Sequence, residues 1–351
     1  MASYPMEKNM ARKKKRNCSS GIGGQAVLEG VMMKNKDDYA VAIRKSDGEI
    51  ELEVDFYKGI LADTLIKKMP FFRGIFNFID SLVLGTRIIN FSASFFMDDE
   101  EAKPTKFDKV FDKIFKDKAE KVLMGITTII AILFAVGIFI LLPFYLSDWL
   151  KGFIHNASMV LIIEGILRIS IFLLYVVAIS LMKDIRRLYA YHGAEHKCIN
   201  CIEKGRPLTT RDVMRSSRLH RRCGTSFMFF VIFVSIIVFF FIRVDNIWLR
   251  VGLRVALIPL IAGISYEIVR WAGRSDNILV RILSAPGMLI QYLTTKEPDE
   301  GMIEVAIRAV ETIFDWKSYL KETFGYEVDE SWIAEEVKQG ESFLPDASEA
   351  T

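Results

Sequence analysis

Long apolar runs alternate with strongly charged stretches along this chain, and that alternation restricts its folds more than any other feature. An uncharged run of about 18 or more residues is long enough to cross roughly 30 Å of hydrocarbon as a helix. Four stretches fit that description broadly: residues 122–146, 157–182, 224–242 and 251–270. Lipid offers the backbone no water to bond, so a helix, which satisfies its own amides, is the form expected of each. The reading is a mainly α, polytopic membrane protein with about four transmembrane helices, a lipid bilayer as its partner and a small N-terminal β element.

The connections set the orientation. Those at 147–156 and 243–250 are short and carry no basic cluster, whereas 183–223 holds eight arginines from Arg186 to Arg222. Positive loops stay inside, so this loop and both termini are expected on the cytoplasmic side of the cytoplasmic membrane. Residues 1–20, with Arg12, Lys13, Lys14, Lys15 and Arg16, read as a disordered basic arm. No apolar core of a signal peptide follows it.

Residues 21–69 read as the β element. Gly21, Gly23 and Gly24 open it, and residues 39–45 and 49–57 flank a Ser46-Asp47-Gly48 turn. Ile50, Leu52, Val54 and Phe56 alternate with charged residues, the period of a strand, which predicts a β-hairpin. Residues 70–121 are expected to form an interfacial helix and a charged linker. Phe72, Ile75, Phe76, Ile79 and Val83 recur at helical spacing, but Arg73, Asp80 and Arg87 argue against a simple crossing, so the helix should lie in the interface or pack against the spans. The membrane domain is taken as 122–270, and 271–351 as an amphipathic, increasingly acidic cytoplasmic region that looks frayed from Gly340. A net charge of +3 over 351 residues, with no basic and aromatic surface repeating, excludes nucleic acid as a partner.

The sharpest chemical signal is His192-Gly193-Ala194-Glu195-His196. Residues at i, i+3 and i+4 share a helix face, so both imidazoles can point at one metal ion while Glu195 holds a water and takes its proton. The plainer alternative is an interfacial helix with solvated polar residues. His155, in the outer connection, cannot join them. The third ligand is expected from Glu267, His220 or Cys223, with zinc as the ion, because a catalytic zinc commonly takes three protein ligands and a water. Glu267 has an alternative fate as a partner of Arg270 or Arg274. The four cysteines, Cys18, Cys198, Cys201 and Cys223, do not form a secreted disulfide framework. Cys198-x-x-Cys201 offers, with His220 and Cys223, a closed structural zinc site, a redox pair, or two ordinary buried thiols. Glu164 and Arg168, at i and i+4 inside the second apolar stretch, read first as a structural bridge and second as a transport site. Gly21–Gly24 lacks the Lys-Ser or Lys-Thr ending of a phosphate loop.

Several longer blocks carry a resemblance: Gly23-Gly24-Gln25-Ala26-Val27-Leu28-Glu29-Gly30-Val31-Met32-Met33, Tyr191-His192-Gly193-Ala194-Glu195-His196-Lys197, His220 with Arg222-Cys223-Gly224-Thr225-Ser226-Phe227, and Leu293-Thr294-Thr295-Lys296-Glu297-Pro298. Over residues 20–315 the chain resembles the YqhQ family of bacterial membrane proteins. That family is of unknown function and is described as predicted metal-dependent enzymes. The resemblance implies a metal at the His192–His196 block and adds Glu29 as a candidate. The chain departs from the pattern at Cys198, where Thr is expected, and at Arg221, where Pro is expected; the first departure makes a Cys198–Cys201 site look incidental. The functional expectation is a membrane-embedded metal-dependent enzyme. It would be a hydrolase acting at the cytoplasmic face on a membrane-associated peptide or lipid. The alternative is a non-catalytic transporter, scaffold or insertion factor with a structural metal or none.

Overall fold

The computed structural model describes residues 18–96, 119–242, 244, 246–273, 277–325 and 328. Nearly all of the basic arm, most of the charged linker, Arg274 and the acidic end lie outside the described residues.

The β element is a four-stranded antiparallel meander: β1 (Gly23–Val27), β2 (Gly30–Asn35), β3 (Asp38–Arg44) and β4 (Ile50–Phe56). The predicted hairpin is β3–β4, in register from Arg44 opposite Ile50 to Asp38 opposite Phe56. The glycine block, expected only as an opening, is itself a hairpin, β1–β2. Its glycines serve close approach. A Cβ on Gly30 would lie 2.3 Å from the Ala42 carbonyl oxygen, and one on Gly24 would lie 2.7 Å from that of Met32. Glycine within a strand reads from sequence as a break, although it often marks such an approach.

The central strands β2 and β3 are buried on both faces because their side chains alternate between two cores, while β4 is largely exposed. Val31, Met33 and Ala42 pack with α6 (Lys183–Glu203), α12 (Glu300–Ile313) and α13 (Trp316–Phe324). Met32, Tyr39, Val41 and Ile43 pack against Leu84 and Ile88 of α2 (Phe72–Ser94). A short helix, α1 (Leu65–Lys68), leads into α2. On its other side α2 lies along α10 (Ile258–Ala272), where a Cβ on Gly74 would meet Tyr266 at 2.8 Å. Thus the charged helix packs against apolar elements, as its interrupted periodicity suggested.

The apolar elements begin with α3 (Ala119–Val136), a π turn (Gly137–Leu141) and α4 (Leu142–Leu150), which run on as one rod. α5 (Ala157–Ser180) follows, capped by the Asn156 side chain. Two stretches, Gly125–Leu150 and Ser158–Ser180, are long and apolar enough to cross a membrane. α9 (Ile247–Ala256) and α10 meet at a 40° bend and make a third if they act as one span. Pro259 opens α10; it lacks an amide donor and crowds the preceding turn, which breaks the run that hydropathy alone reads as continuous. α8 (Gly224–Phe240) has 17 residues, about 26 Å at 1.5 Å per residue, short of the hydrocarbon thickness. Among the described residues the helices therefore supply two to three candidate spans.

Two further elements complete the frame. The loop expected at 183–223 is largely helical, with α6 and a short α7 (Thr210–Met214). Its residues Ala190, Tyr191, Gly193 to Ile202 are buried in the first core. α11 (Ile278–Thr294) falls in the stretch read as a tail, yet it packs against α5, α8 and α10.

Candidate metal centre

The first core and the apolar helices meet where α6, the start of α8, the end of α11 and β1 converge. α6 brings His192 and His196 into contact, with ring centroids 4.3 Å apart. Gly193 between them allows the chain after α11 to lie against the helix: a Cβ there would sit 2.0 Å from the Lys296 carbonyl oxygen. That chain is pinned by the Lys296 amide donating to the Tyr189 carbonyl at 2.8 Å.

The hydrogen bonds of the two rings fix their tautomers. His192 Nδ1 is 2.9 Å from the Thr294 carbonyl oxygen, and His196 Nδ1 is 2.6 Å from that of Arg218. A carbonyl can only accept, so each Nδ1 carries a proton and each Nε2 keeps its lone pair. This is how metal-ligating histidines are commonly oriented from behind. Cys223 supplies a third donor, with its Sγ 3.2 Å from His192 Nε2. One ligand atom from each of His192, His196 and Cys223 lies within 4.8 Å of the others. In a tetrahedral zinc shell a nitrogen and a sulfur sit about 3.5 Å apart, so the trio needs to close by about an ångström. Cys223 is the N-cap of α8, and its Sγ accepts from the Thr225 amide at 3.4 Å.

Glu195 is 5% exposed and forms part of the wall of the adjoining cavity. Burial pushes its carboxyl up to about 7, while His192 and the Gly24 amide pull it down. Gly24 has room for nothing larger, because a Cβ would lie 2.8 Å from Glu195 Cγ. The cavity, about 710 Å3, is bounded by His192, Glu195, Cys223, Thr225 and the β1–β2 hairpin.

A clamp holds the strap that carries Arg218 and Cys223. Lys197 donates to the carbonyls of Met214 and Ser216, and Asn200 to those of Ser217 and Leu219. From α11, Gln291 exchanges hydrogen bonds with both backbone groups of His220, at 2.8 and 2.7 Å. No residue-type pattern singled out Lys197, Asn200, Gln291 or Thr294, since their role is to bond backbone groups distant in sequence.

The remaining candidates separate from the trio. His220 lies beside His196, with ring centroids 5.6 Å apart and the planes tilted by 46°, but turns its Nε2 to Glu203, 3.5 Å away. Glu267 is not part of the cluster: its oxygens accept from the Arg73 guanidinium at 2.6 and 2.5 Å and from the Phe71 amide. Among the described residues its ion-pair partner is not Arg270 but Arg73, 194 residues away on α2; Arg274 lies outside the described residues. Cys198 and Cys201 lie in the first core, Cys201 Sγ donating to the Pro207 carbonyl at 3.1 Å. Burial pushes the Cys198 thiol up, which disfavours a thiolate there. No closed site of Cys198, Cys201, His220 and Cys223 forms among the described residues. Glu29 sits in the left-handed region at φ 49° and pairs with Arg187, with the Tyr191 hydroxyl 3.3 Å away. Glu164 bridges Arg168 and, unforeseen, Arg254.

Comparison with known proteins agrees with the family resemblance. Residues 69–316 match the family described as Protein of unknown function (DUF1385). The uncharacterized protein YqhQ of Bacillus subtilis (strain 168) is 36% identical over 292 residues, covering 82% of this chain and 90% of that protein. No solved structure matches the chain significantly. The chain belongs to the DUF1385 family, with YqhQ as a relative.

Proposed function

We propose that this member of the family is a membrane-embedded, metal-dependent hydrolase of the bacterial cytoplasmic membrane, working on a membrane-associated peptide or lipid at the cytoplasmic face. In this reading α3–α4, α5, α8 and the bent α9–α10 pair make four crossings, and the basic stretch that includes α6 stays inside with both termini. The observation that carries the proposal is the pair of Nδ1–carbonyl hydrogen bonds, which leaves two imidazole lone pairs beside a thiol at the edge of a cavity.

Two nitrogens and one sulfur suit zinc best. When bound, such an ion supplies Lewis acidity, polarising a carbonyl or phosphoryl oxygen and acidifying water. His192, His196 and Cys223 would hold it, beside the cavity that His192, Glu195 and Cys223 line. Glu195 is the proton carrier. With its carboxyl near 7, both of its protonation states are accessible at neutral pH. It takes a proton as the water oxygen bonds to the acyl or phosphoryl centre, and returns one to the departing oxygen or nitrogen. The Gly24 amide keeps the carboxylate aimed. The transporter alternative finds less support, because the charged cluster between α5 and α9 is sealed, beside a cavity of about 10 Å3.

Metal analysis of the purified protein tests the proposal. One equivalent of zinc is expected in the wild type and none in His192→Ala or His196→Ala. Full metal content in the double variant would overturn it.

A further inference from the structure

A second cavity, of about 910 Å3, adjoins the first: Lys34, Lys36, Ser81 and Leu84 line both. It lies between the β2–β3 turn, the segment after β4, α2 and the end of α10. Seven cationic side chains and three acidic ones line it. Two of the acids are already neutralised. Asp80 pairs with Lys67 at 2.5 Å and also accepts from the Ile60 amide and the Tyr57 hydroxyl. Asp63 pairs with Lys58 at 2.7 Å. Lys34 donates to the carbonyls of Asp37 and Tyr57 and lies over the Tyr57 ring at 5.4 Å. Lys36, Lys68 and Arg270 form no salt bridge among the described residues. Arg73 is paired with Glu267 and Lys34 faces Asp37, so the excess of positive charge rests on Lys36, Lys68 and Arg270.

The rim tells which anion. α1 and the residues beside it expose Leu65 at 78%, Ile66 at 49%, Met69 at 50% and Phe72 at 42%. Leu65 and Ile66 stand next to Lys67 and Lys68, so apolar and cationic groups share one short segment, the composition of a surface that rests among lipid headgroups. The segment is held in place: a Cβ on Gly59 would lie 2.3 Å from Asp80 Oδ2 and 2.4 Å from Lys67 Nζ, so the loop backbone closes directly on that pair.

We infer that this trough binds the phosphate-bearing headgroup of a membrane lipid, with α1 seated in the interface and Lys36, Lys68 and Arg270 around the phosphate. Binding stands on the trough alone. The further step, that such a lipid is the substrate delivered to the metal centre, rests on the hydrolase reading above. The two cavities adjoin at Lys34, Lys36, Ser81 and Leu84, so a lipid held by its phosphate in the trough would have a path into the cavity that Glu195 lines.

The test uses the full chain in phosphatidylcholine nanodiscs, titrated with a fluorescent phosphatidic acid, with zinc measured on the same preparations. Replacing Lys36, Lys68 and Arg270 together by Gln should weaken lipid binding by about tenfold or more and leave metal content unchanged. Leu65→Gln with Ile66→Gln should weaken the lipid but not soluble glycerol phosphate. Unchanged lipid affinity in the triple variant, with native melting behaviour, would overturn the inference while leaving the metal reading intact. Competition by inorganic phosphate at the lipid's own affinity would overturn the assignment to a lipid. His192→Ala should lose zinc yet bind the lipid normally, so failure of the metal reading shows separately.

Discussion

Two polar clusters are buried in this molecule, and they differ in what their hydrogen-bonding capacity is spent on. Between α5 and α9, Glu164, Arg168 and Arg254 are 4%, 2% and 0% exposed. Both guanidiniums donate to the Glu164 carboxylate, Arg168 also to Ser235 at 2.9 Å. The rings of Phe144 and Phe239 cover Arg254 at 4.4 and 4.9 Å. Only the two Nε groups lack a partner, and the cavity beside them has space for about one water. At the candidate metal centre the side chains are also largely buried, but ligand atoms of His192, His196 and Cys223 gather within 4.8 Å of one another, and His192 and Cys223 line an open cavity. Burial of charge is common to both, so it does not mark function. What sets the second cluster apart is that metal-ligating side chains meet beside a cavity.

Four substitutions break or sharpen that contrast. The largest effect belongs to the open cluster: Cys223→Ala should take bound zinc from one equivalent to none or nearly none, read by metal analysis, with little loss of fold. Next, Glu195→Gln should keep zinc and lower hydrolytic turnover by about 100- to 10,000-fold, the usual contribution of general acid–base catalysis. Loss of zinc in that variant would make Glu195 a ligand rather than a proton carrier. The closed cluster should respond in the opposite sense. Glu164→Ala strands two guanidiniums and is expected to cost roughly 3–5 kcal/mol, seen as a lower melting temperature, while zinc per folded molecule stays constant. A fall in zinc without a fall in stability would erase the distinction drawn here. The smallest effect is expected at Glu267→Gln, which weakens a half-exposed pair worth about 1 kcal/mol or less. Zinc content should not change, and a sharp drop would restore Glu267 as a ligand.

Much of the scaffold could be read along the chain, because its signals are local. Long, predominantly apolar runs mark α3–α4 and α5, period-two alternation marks β4, and five consecutive residues on α6 present His192, Glu195 and His196. The hairpin β1–β2 escaped that reading: its glycines are explained by the Met32 and Ala42 carbonyls and by Glu195, none of which is a neighbour in sequence. The length of a run likewise did not register the bend before Pro259 or the shortness of α8.

Local periodicity determined the two histidines, the glutamate and the apolar helices, since residues a turn apart share a face whatever the rest of the chain does. The third donor was a matter of packing. His220, Cys223 and Glu267 were equivalent as residue types. Cys223 reaches His192 because α8 starts there and Gln291 holds the strap, whereas Arg73 on α2 occupies Glu267 and Glu203 faces His220. Such choices depend on where helix ends arrive in space, and spacing along a chain carries no information about contacts between separate elements, here 17 to 194 residues apart.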